Sequence, residues 1–194
     1  MIVKKLYLDT ETTGRDAAIH GIIQIAAIME VDGERVDTFD SLMRPADGIL
    51  IEDEALLVSG ITREQITAAE PELKVFRSFM AWLGRSIDKY NKADKAFMVG
   101  YNVAFDDAFL RALAERCGEK YLGSYKWPDL IDVRQKALET VLETRYLFPD
   151  FRLGTVVKRL LSPEAYAAAT ETAGLHNAMT DIELTYQLDK AVSA

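Results

Sequence analysis

The heptapeptide Leu8-Asp9-Thr10-Glu11-Thr12-Thr13-Gly14 decides how this sequence reads. Ahead of it, Ile2 to Asp9 is an apolar-enriched stretch that ends in acids, the pattern of a strand with charge at its exit. Strand residues two apart project to the same face, so Asp9 and Glu11 converge on one spot. Two carboxylates held there repel, and an isolated pair would drive one pKa upward. A divalent cation removes that conflict, because hard oxygen ligands suit Mg²⁺ and Mn²⁺. Thr12-Thr13-Gly14 then forms a turn whose backbone can approach a substrate closely. Asp-x-Glu alone is equally what a solvated strand end looks like in an acidic protein, so the rest of the chain has to decide.

Working outward, Gly21 to Val31, with Ile22, Ile23, Ile25, Ala26, Ala27 and Ile28, reads as a second, largely buried strand. Glu34 to Arg44 reads as a third, joined to it through the hairpin signal Asp32-Gly33. Asp47 to Glu72 is turn-rich and reads as loop with one short helix. From Glu72 the residues Leu73, Phe76, Phe79, Met80 and Leu83 recur at helical spacing, with Gly84 as the expected stop. Ala96 to Tyr101 is a fourth strand and Leu130 to Val133 a short fifth, each running into a helix, the second capped by Asp132. The remainder is helical, broken at Gly154, Pro163 and Gly174 and closing with a helix from Ala178 to Val192. Three antiparallel strands followed by alternating helix and strand predict an α/β fold, a mixed sheet of about five strands with helices on both faces. Residues 1–194 read as a single domain with no linker.

Two further segments carry chemistry. In Gly100-Tyr101-Asn102-Val103-Ala104-Phe105-Asp106-Asp107-Ala108-Phe109-Leu110, a strand exits at glycine and a helix opens with acids in its first turns. The plain account is that Asp106 and Asp107 complement the positive helix N-terminus, worth about 0.3–1 kcal/mol each. Phe105 and Phe109, four apart, are expected to face the core and hold Asp106 in place. In Gly174-Leu175-His176-Asn177-Ala178-Met179-Thr180-Asp181, five residues at roughly 100° each would put His176 and Asp181 about 140° apart on one helix. They meet only if His176 sits on the approach to the helix and Asp181 on its first turns. A histidine near a metal site suits general-base work, since its pKa lies near neutrality.

Together the three segments resemble the DnaQ-like 3′→5′ exonucleases of the RNase H-like fold, in the DEDDh subgroup that carries a histidine in its third motif. Asp9-Thr10-Glu11-Thr12-Thr13-Gly14 matches the first motif in full. Asn102 with Phe105 through Leu110 matches the second, and His176 with Asp181 the third, in the family's order and spacing. The resemblance implies that Asp9, Glu11, Asp106 and Asp181 are metal ligands for two divalent ions, Mg²⁺ or Mn²⁺, and that His176 is the base. It further assigns Thr12, Thr13, Gly14, Asn102 and Phe105 to substrate binding, with the Glu11–Gly14 backbone near a terminal 3′-hydroxyl. The implied reaction is hydrolysis at the 3′ end of single-stranded nucleic acid, DNA favoured, releasing nucleoside 5′-monophosphates. Tyr101 and Asn177 depart from the family's frequent histidine and arginine, at positions that supply no metal ligand. For stacking on terminal bases the candidates are Phe105, Tyr101 and Tyr125, residue types that more often serve as core or rim.

Composition sets limits. The net charge of −8 argues against a grip on long duplexes through many phosphates, which needs lysine and arginine in quantity. Among the basic residues, Arg152, Lys158 and Arg159 are read as a solvated helix face before a phosphate contact. A single cysteine, Cys117, forbids an intrachain disulfide, and no apolar run is long enough for a membrane span, so a cytoplasmic setting is expected. Alternative readings are an exoribonuclease on short RNA, a silent nucleic-acid-binding module and a phosphatase on small esters. A polymerase or other protein partner, and a homodimer, stay open.

Overall fold

The computed structural model describes residues 2–170 and 177–193. Its strands are β1 (Lys4–Thr12), β2 (Ile22–Val31), β3 (Glu34–Leu42), β4 (Ala96–Gly100) and β5 (Lys126–Asp132). Its helices are α1 (Asp53–Ser59), α2 (Arg63–Ala68), α3 (Glu72–Ser86), α4 (Val103–Arg116), α5 (Val133–Thr140), α6 (Leu153–Leu160), α7 (Pro163–Thr170) and α8 (Ala178–Ser193). The strands form one mixed sheet of order β3-β2-β1-β4-β5, in which β1 runs antiparallel to β2 and parallel to β4, and β5 is parallel to β4. This is the expected α/β architecture, and the Asp32-Gly33 hairpin holds, both residues adopting positive φ.

The period of two along β1 sorts the core. Leu6 and Leu8 point to the face covered by α3 and α4, where they meet Phe79, Leu83, Phe109 and Leu113. Tyr7 points to the other face, against Val133, Val156, Ile182 and Leu188 of α5, α6 and α8. Every residue of β2 up to Glu30 is buried, because both of its faces are roofed by helices. A smaller cluster of Ile23, Leu56, Ile61 and Ile66 seats α1 and α2.

Four expectations shift. β1 continues through Glu11 to Thr12, so both acids of the first motif stand on the strand itself. The segment after Asp47 contains two short helices, not one; the second opens with a capping box between Thr62 and Gln65. β5 begins at Lys126 and tolerates Pro128 because it is the sheet's edge strand and its pairing with β4 is irregular there. Gly84 does not end α3, which runs on to Ser86.

At the end of the sheet where β1 begins, Asp189 of α8 is fully buried and accepts from Lys5 Nζ (2.8 Å), Lys136 Nζ (2.6 Å) and the Tyr7 hydroxyl (2.6 Å). Burial alone would raise its pKa; the bonds from Lys136, Lys5 and Tyr7 outweigh it and hold the carboxyl down at about 2. That network clamps the C-terminal half of α8 to β1, and so fixes the helix whose first turn reaches the opposite end of the sheet.

Candidate active site

Asp9 and Glu11 leave β1 on the α8 side of the sheet, where Asp181 arrives from the first turn of α8. These three residues each offer one carboxylate oxygen, and the oxygens lie within 4.8 Å of one another. Two contacts set the height of Asp181. The side-chain carbonyl of Gln24, buried on β2 opposite Glu11, accepts from the Ala178 amide at 3.2 Å, and the Asn177 side chain accepts from the Met179 amide at 3.1 Å.

Asp106 comes from the other face. It sits in the first turn of α4, buried, with Oδ1 accepting from both the backbone amide (3.0 Å) and the hydroxyl (2.8 Å) of Thr10. Thr10, between the two acids of β1, thereby ties the α4 carboxylate to the strand end. Asp107 turns away and is neutralised by Lys126 Nζ (2.8 Å) and Arg111 Nε (2.7 Å). Asn102 takes up the left-handed conformation (φ 64°, ψ 42°) that turns β4 into α4, a geometry asparagine tolerates. Its backbone N–H donates to Asp132 Oδ1, which also caps α5 by accepting from the Arg134 backbone N–H.

The electrostatics of the cluster follow from crowding. Burial, then the charges of Asp106, Asp181 and Glu11, push the Asp9 pKa far above the ordinary carboxylate range. Burial, then Asp181 and Asp106, raise Glu11 to about 7. Burial also raises Asp106, against the lowering effect of its Thr10 bonds. Among the described residues, no lysine or arginine forms an ion pair with Asp9, Glu11 or Asp106. Such a set of hard oxygen donors, half-buried and mutually repelling, fits a divalent cation.

A cavity of about 150 Å³ opens beside Glu11, lined by Thr12, Gly14, Arg15, Glu52, Ala55, Val58 and Phe105. Gly14 is required here, since a Cβ would come within 2.4 Å of the buried His20 ring. Thr13 has a different place: it is fully buried, its hydroxyl donating to the Leu50 carbonyl (2.6 Å) and accepting from the Gly21 amide (2.9 Å). Phe105 lines the cavity while packing against Phe109 at 4.8 Å between ring centroids, so of the two only Phe109 is fully in the core. Tyr101 is tethered by its hydroxyl to the Phe151 carbonyl (2.7 Å). Tyr125 belongs to the core between the sheet and α4 and takes no part in this cavity. His176 lies outside the described residues.

With the geometry in place, the sequence profile of the RNase T exonuclease family matches residues 6–188. The chain belongs to that exonuclease family. Within it, the RNase T-family chain is 30% identical over 190 residues to the PolC-type DNA polymerase III of Bacillus subtilis, covering 93% of this chain and 11% of the polymerase. It is 29% identical over 189 residues to the corresponding polymerase of Lacticaseibacillus paracasei, covering 94% of this chain and 11% of that one. The chain thus spans about a tenth of these curated relatives. Among solved structures, the fold matches Escherichia coli exonuclease I in its zinc-bound complex with single-stranded DNA, with TM-score 0.77 and 23% identity, over 98% of this chain and 40% of that one. A complex of the same enzyme with a dT13 oligonucleotide gives TM-score 0.75 and 23% identity, over 99% and 41%. The RNase T-family fold is the five-stranded sheet flanked by helices described above. Among the described residues, no helix is long and apolar enough to cross a membrane.

Sequence reasoning missed Thr10, His20, Gln24 and the α1 residues Ala55 and Val58. Thr10 and Gln24 sit inside motifs or strands whose pattern reports burial and not partner. α1 is too short to show a periodicity, and only the fold brings it over Glu11.

Proposed function

We propose that this chain is a 3′→5′ exonuclease that shortens single-stranded DNA from its 3′ end and releases nucleoside 5′-monophosphates, with two Mg²⁺ or Mn²⁺ ions held by Asp9, Glu11, Asp106 and Asp181. The observation that carries the reading is the meeting of three carboxylate oxygens within 4.8 Å beside a small cavity that Glu11 helps to line. In this reading the cavity of about 150 Å³ receives the terminal nucleoside of the strand. DNA is preferred because the relatives are DNA polymerases and the solved neighbours hold single-stranded DNA.

Bound divalent ions supply the Lewis acidity that activates water and stabilises the departing 3′ oxygen. The chain's own residues do the rest. Asp9, Glu11 and Asp181 hold the cations on the α8 side, and Asp106, fixed by Thr10, completes the set from the α4 side. The Thr12–Gly14 turn and the faces of Phe105 and Val58 orient the terminal nucleoside, while Thr13 keeps the turn rigid. Asn102, at the start of α4 in the second motif, contributes to substrate binding in the role the motif implies. His176 takes the proton of the attacking water, in the role its motif implies. Because the curated relatives are DNA polymerases, a polymerase is the partner this reading favours.

The test uses matched 5′-labelled DNA and RNA strands with Mg²⁺, Mn²⁺ or EDTA. A ladder shortening by single nucleotides, lost in EDTA and faster on DNA, is expected. A faster ladder on RNA would reassign the chain to an exoribonuclease. Hydrolysis of mononucleotide esters without shortening of either strand would make it a phosphatase.

A further inference from the structure

The acidic chain has one strongly basic region. Residues 134–160 hold six lysines and arginines against three acids, a local net charge of +3, so the remainder of the chain carries −11 within the overall −8. Elsewhere several surface cations are paired with acids, as in Arg63–Asp53, Lys74–Glu70 and Arg85–Asp37. Here Arg134, Arg145, Arg152, Lys158 and Arg159 form no ion pair among the described residues; Asp150 lies near enough to feel Arg152 and Arg145.

Three of the arginines are held by rings instead. Arg134 and Arg145 lie over Phe151, with guanidinium carbons 5.9 and 5.0 Å from the ring centroid, and Arg159 lies over Phe148 at 5.0 Å. Both phenylalanines are buried and packed on each other. A guanidinium seated on a fixed ring face turns its in-plane N–H groups outward, the arrangement that can bind a phosphate through two parallel bonds. Arg145 Nη1 donates to the Phe148 carbonyl at 2.9 Å, which fixes its orientation. Next to Arg145, Tyr146 is 81% exposed, an aromatic face with no packing to explain it.

The cluster also stands in the right place. β1, β4 and β5 are parallel, so β5 ends at Asp132 on the same side of the sheet as Asp9 and Glu11. Phe151 is tied to Tyr101, at the exit of β4, by the 2.7 Å bond from the tyrosine hydroxyl. We propose that Arg145, Arg152 and Arg159, with Tyr146, form a track that binds the phosphodiester backbone of the single strand upstream of the nucleotide in the cavity. In a chain with net charge −8, such a local track offsets the repulsion that a longer anionic strand meets. The proposal rests on the exonuclease reading for the identity of its ligand.

The experiment is fluorescence anisotropy of 5′-fluorescein-labelled dT4 and dT16 in EDTA, where no cleavage is read. The wild type is expected to bind dT16 about tenfold more tightly than dT4, with a steep salt dependence. The triple variant Arg145→Gln/Arg152→Gln/Arg159→Gln should lose most of that advantage, and its salt slope should fall by about 2, at about 0.7 per contact for a single strand. Tyr146→Ala, at an exposed position that cannot unsettle the core, should weaken dT16 a few-fold and leave dT4 unchanged. The control Lys89→Gln/Lys92→Gln/Lys120→Gln removes equal charge ahead of β4 and β5, at the opposite end of the sheet, and should bind as wild type. Equal binding of dT16 by the triple variant and this control would overturn the track, as would a wild type that binds dT4 and dT16 alike. A chain that binds in the expected pattern yet never shortens a strand would sink the exonuclease reaction and leave the track standing.

Discussion

Replacing Glu11 with glutamine should stabilise the metal-free protein while impairing its chemistry. Burial and the neighbouring charges of Asp181 and Asp106 lift the Glu11 pKa from an ordinary 4.5 to about 7. Because the folded-state pKa lies above the unfolded one, the fold binds the proton more tightly, and stability falls as pH rises from about 4.5 to about 7. At about 1.4 kcal/mol per pH unit, ionising Glu11 inside the fold costs about 3 kcal/mol at pH 8, as a ceiling. Glutamine mimics the protonated acid and escapes that cost. For a chain of this length, about 3 kcal/mol corresponds to a thermal midpoint higher by roughly 6–12 °C. Differential scanning calorimetry in EDTA, from pH 4 to pH 8.5, reads this directly. The wild-type midpoint should decline across that window and the variant's should not, the two converging near pH 4. Millimolar Mg²⁺ should restore the wild type at pH 8 and do little for the variant, since binding to the folded state alone stabilises by mass action. A Glu11→Gln protein less stable than wild type at pH 8, or a gain that ignores pH, would refute the picture of a strained carboxylate cluster awaiting cations.

Other outcomes follow from single contacts. Gly14→Ala should cost about 1–3 kcal/mol in urea unfolding, because its Cβ collides with the His20 ring, and adding His20→Ala should recover part of the loss. Thr10→Val removes the 2.8 Å hydroxyl bond to Asp106 and should weaken Mn²⁺ affinity in calorimetric titration by about tenfold, in line with a charge-assisted bond worth about 1.5–3 kcal/mol. Asp189→Asn leaves Lys136 without its buried counter-charge and Lys5 with only Glu30 at 3.9 Å, and should destabilise the fold by about 3–5 kcal/mol at pH 7. The wild-type carboxyl, held at about 2, contributes stability above its ordinary 3.8 that is lost as pH falls through 2; acid unfolding of the variant should lack that step.

Much of this was legible in the chain because the signals were local. The apolar run of β2, the Asp32-Gly33 turn and the acids at the exit of β1 each declare themselves within a few residues. The adjacent pair Asp106-Asp107 did not. Both look like acids at a helix start, and only Lys126, from a strand twenty residues on, decides that Asp107 is paired while Asp106 turns to the cluster. The same lysine explains why β5 was read too short: a charged residue before Trp127-Pro128 resembles a loop until its amine is seen buried against α4. The wall that α1 gives the cavity was invisible for a related reason, since Ala55 and Val58 carry no pattern and gain meaning only beside Glu11.

The most direct measurement of the central claim is the identity of the first labelled product released from a single strand labelled in its 3′-terminal nucleotide, with wild type and Asp9→Ala compared in Mg²⁺. The account predicts a nucleoside 5′-monophosphate from the wild type within the first turnovers and none from the variant. A labelled oligonucleotide released first, a nucleoside 3′-monophosphate, or equal release by Asp9→Ala would contradict it.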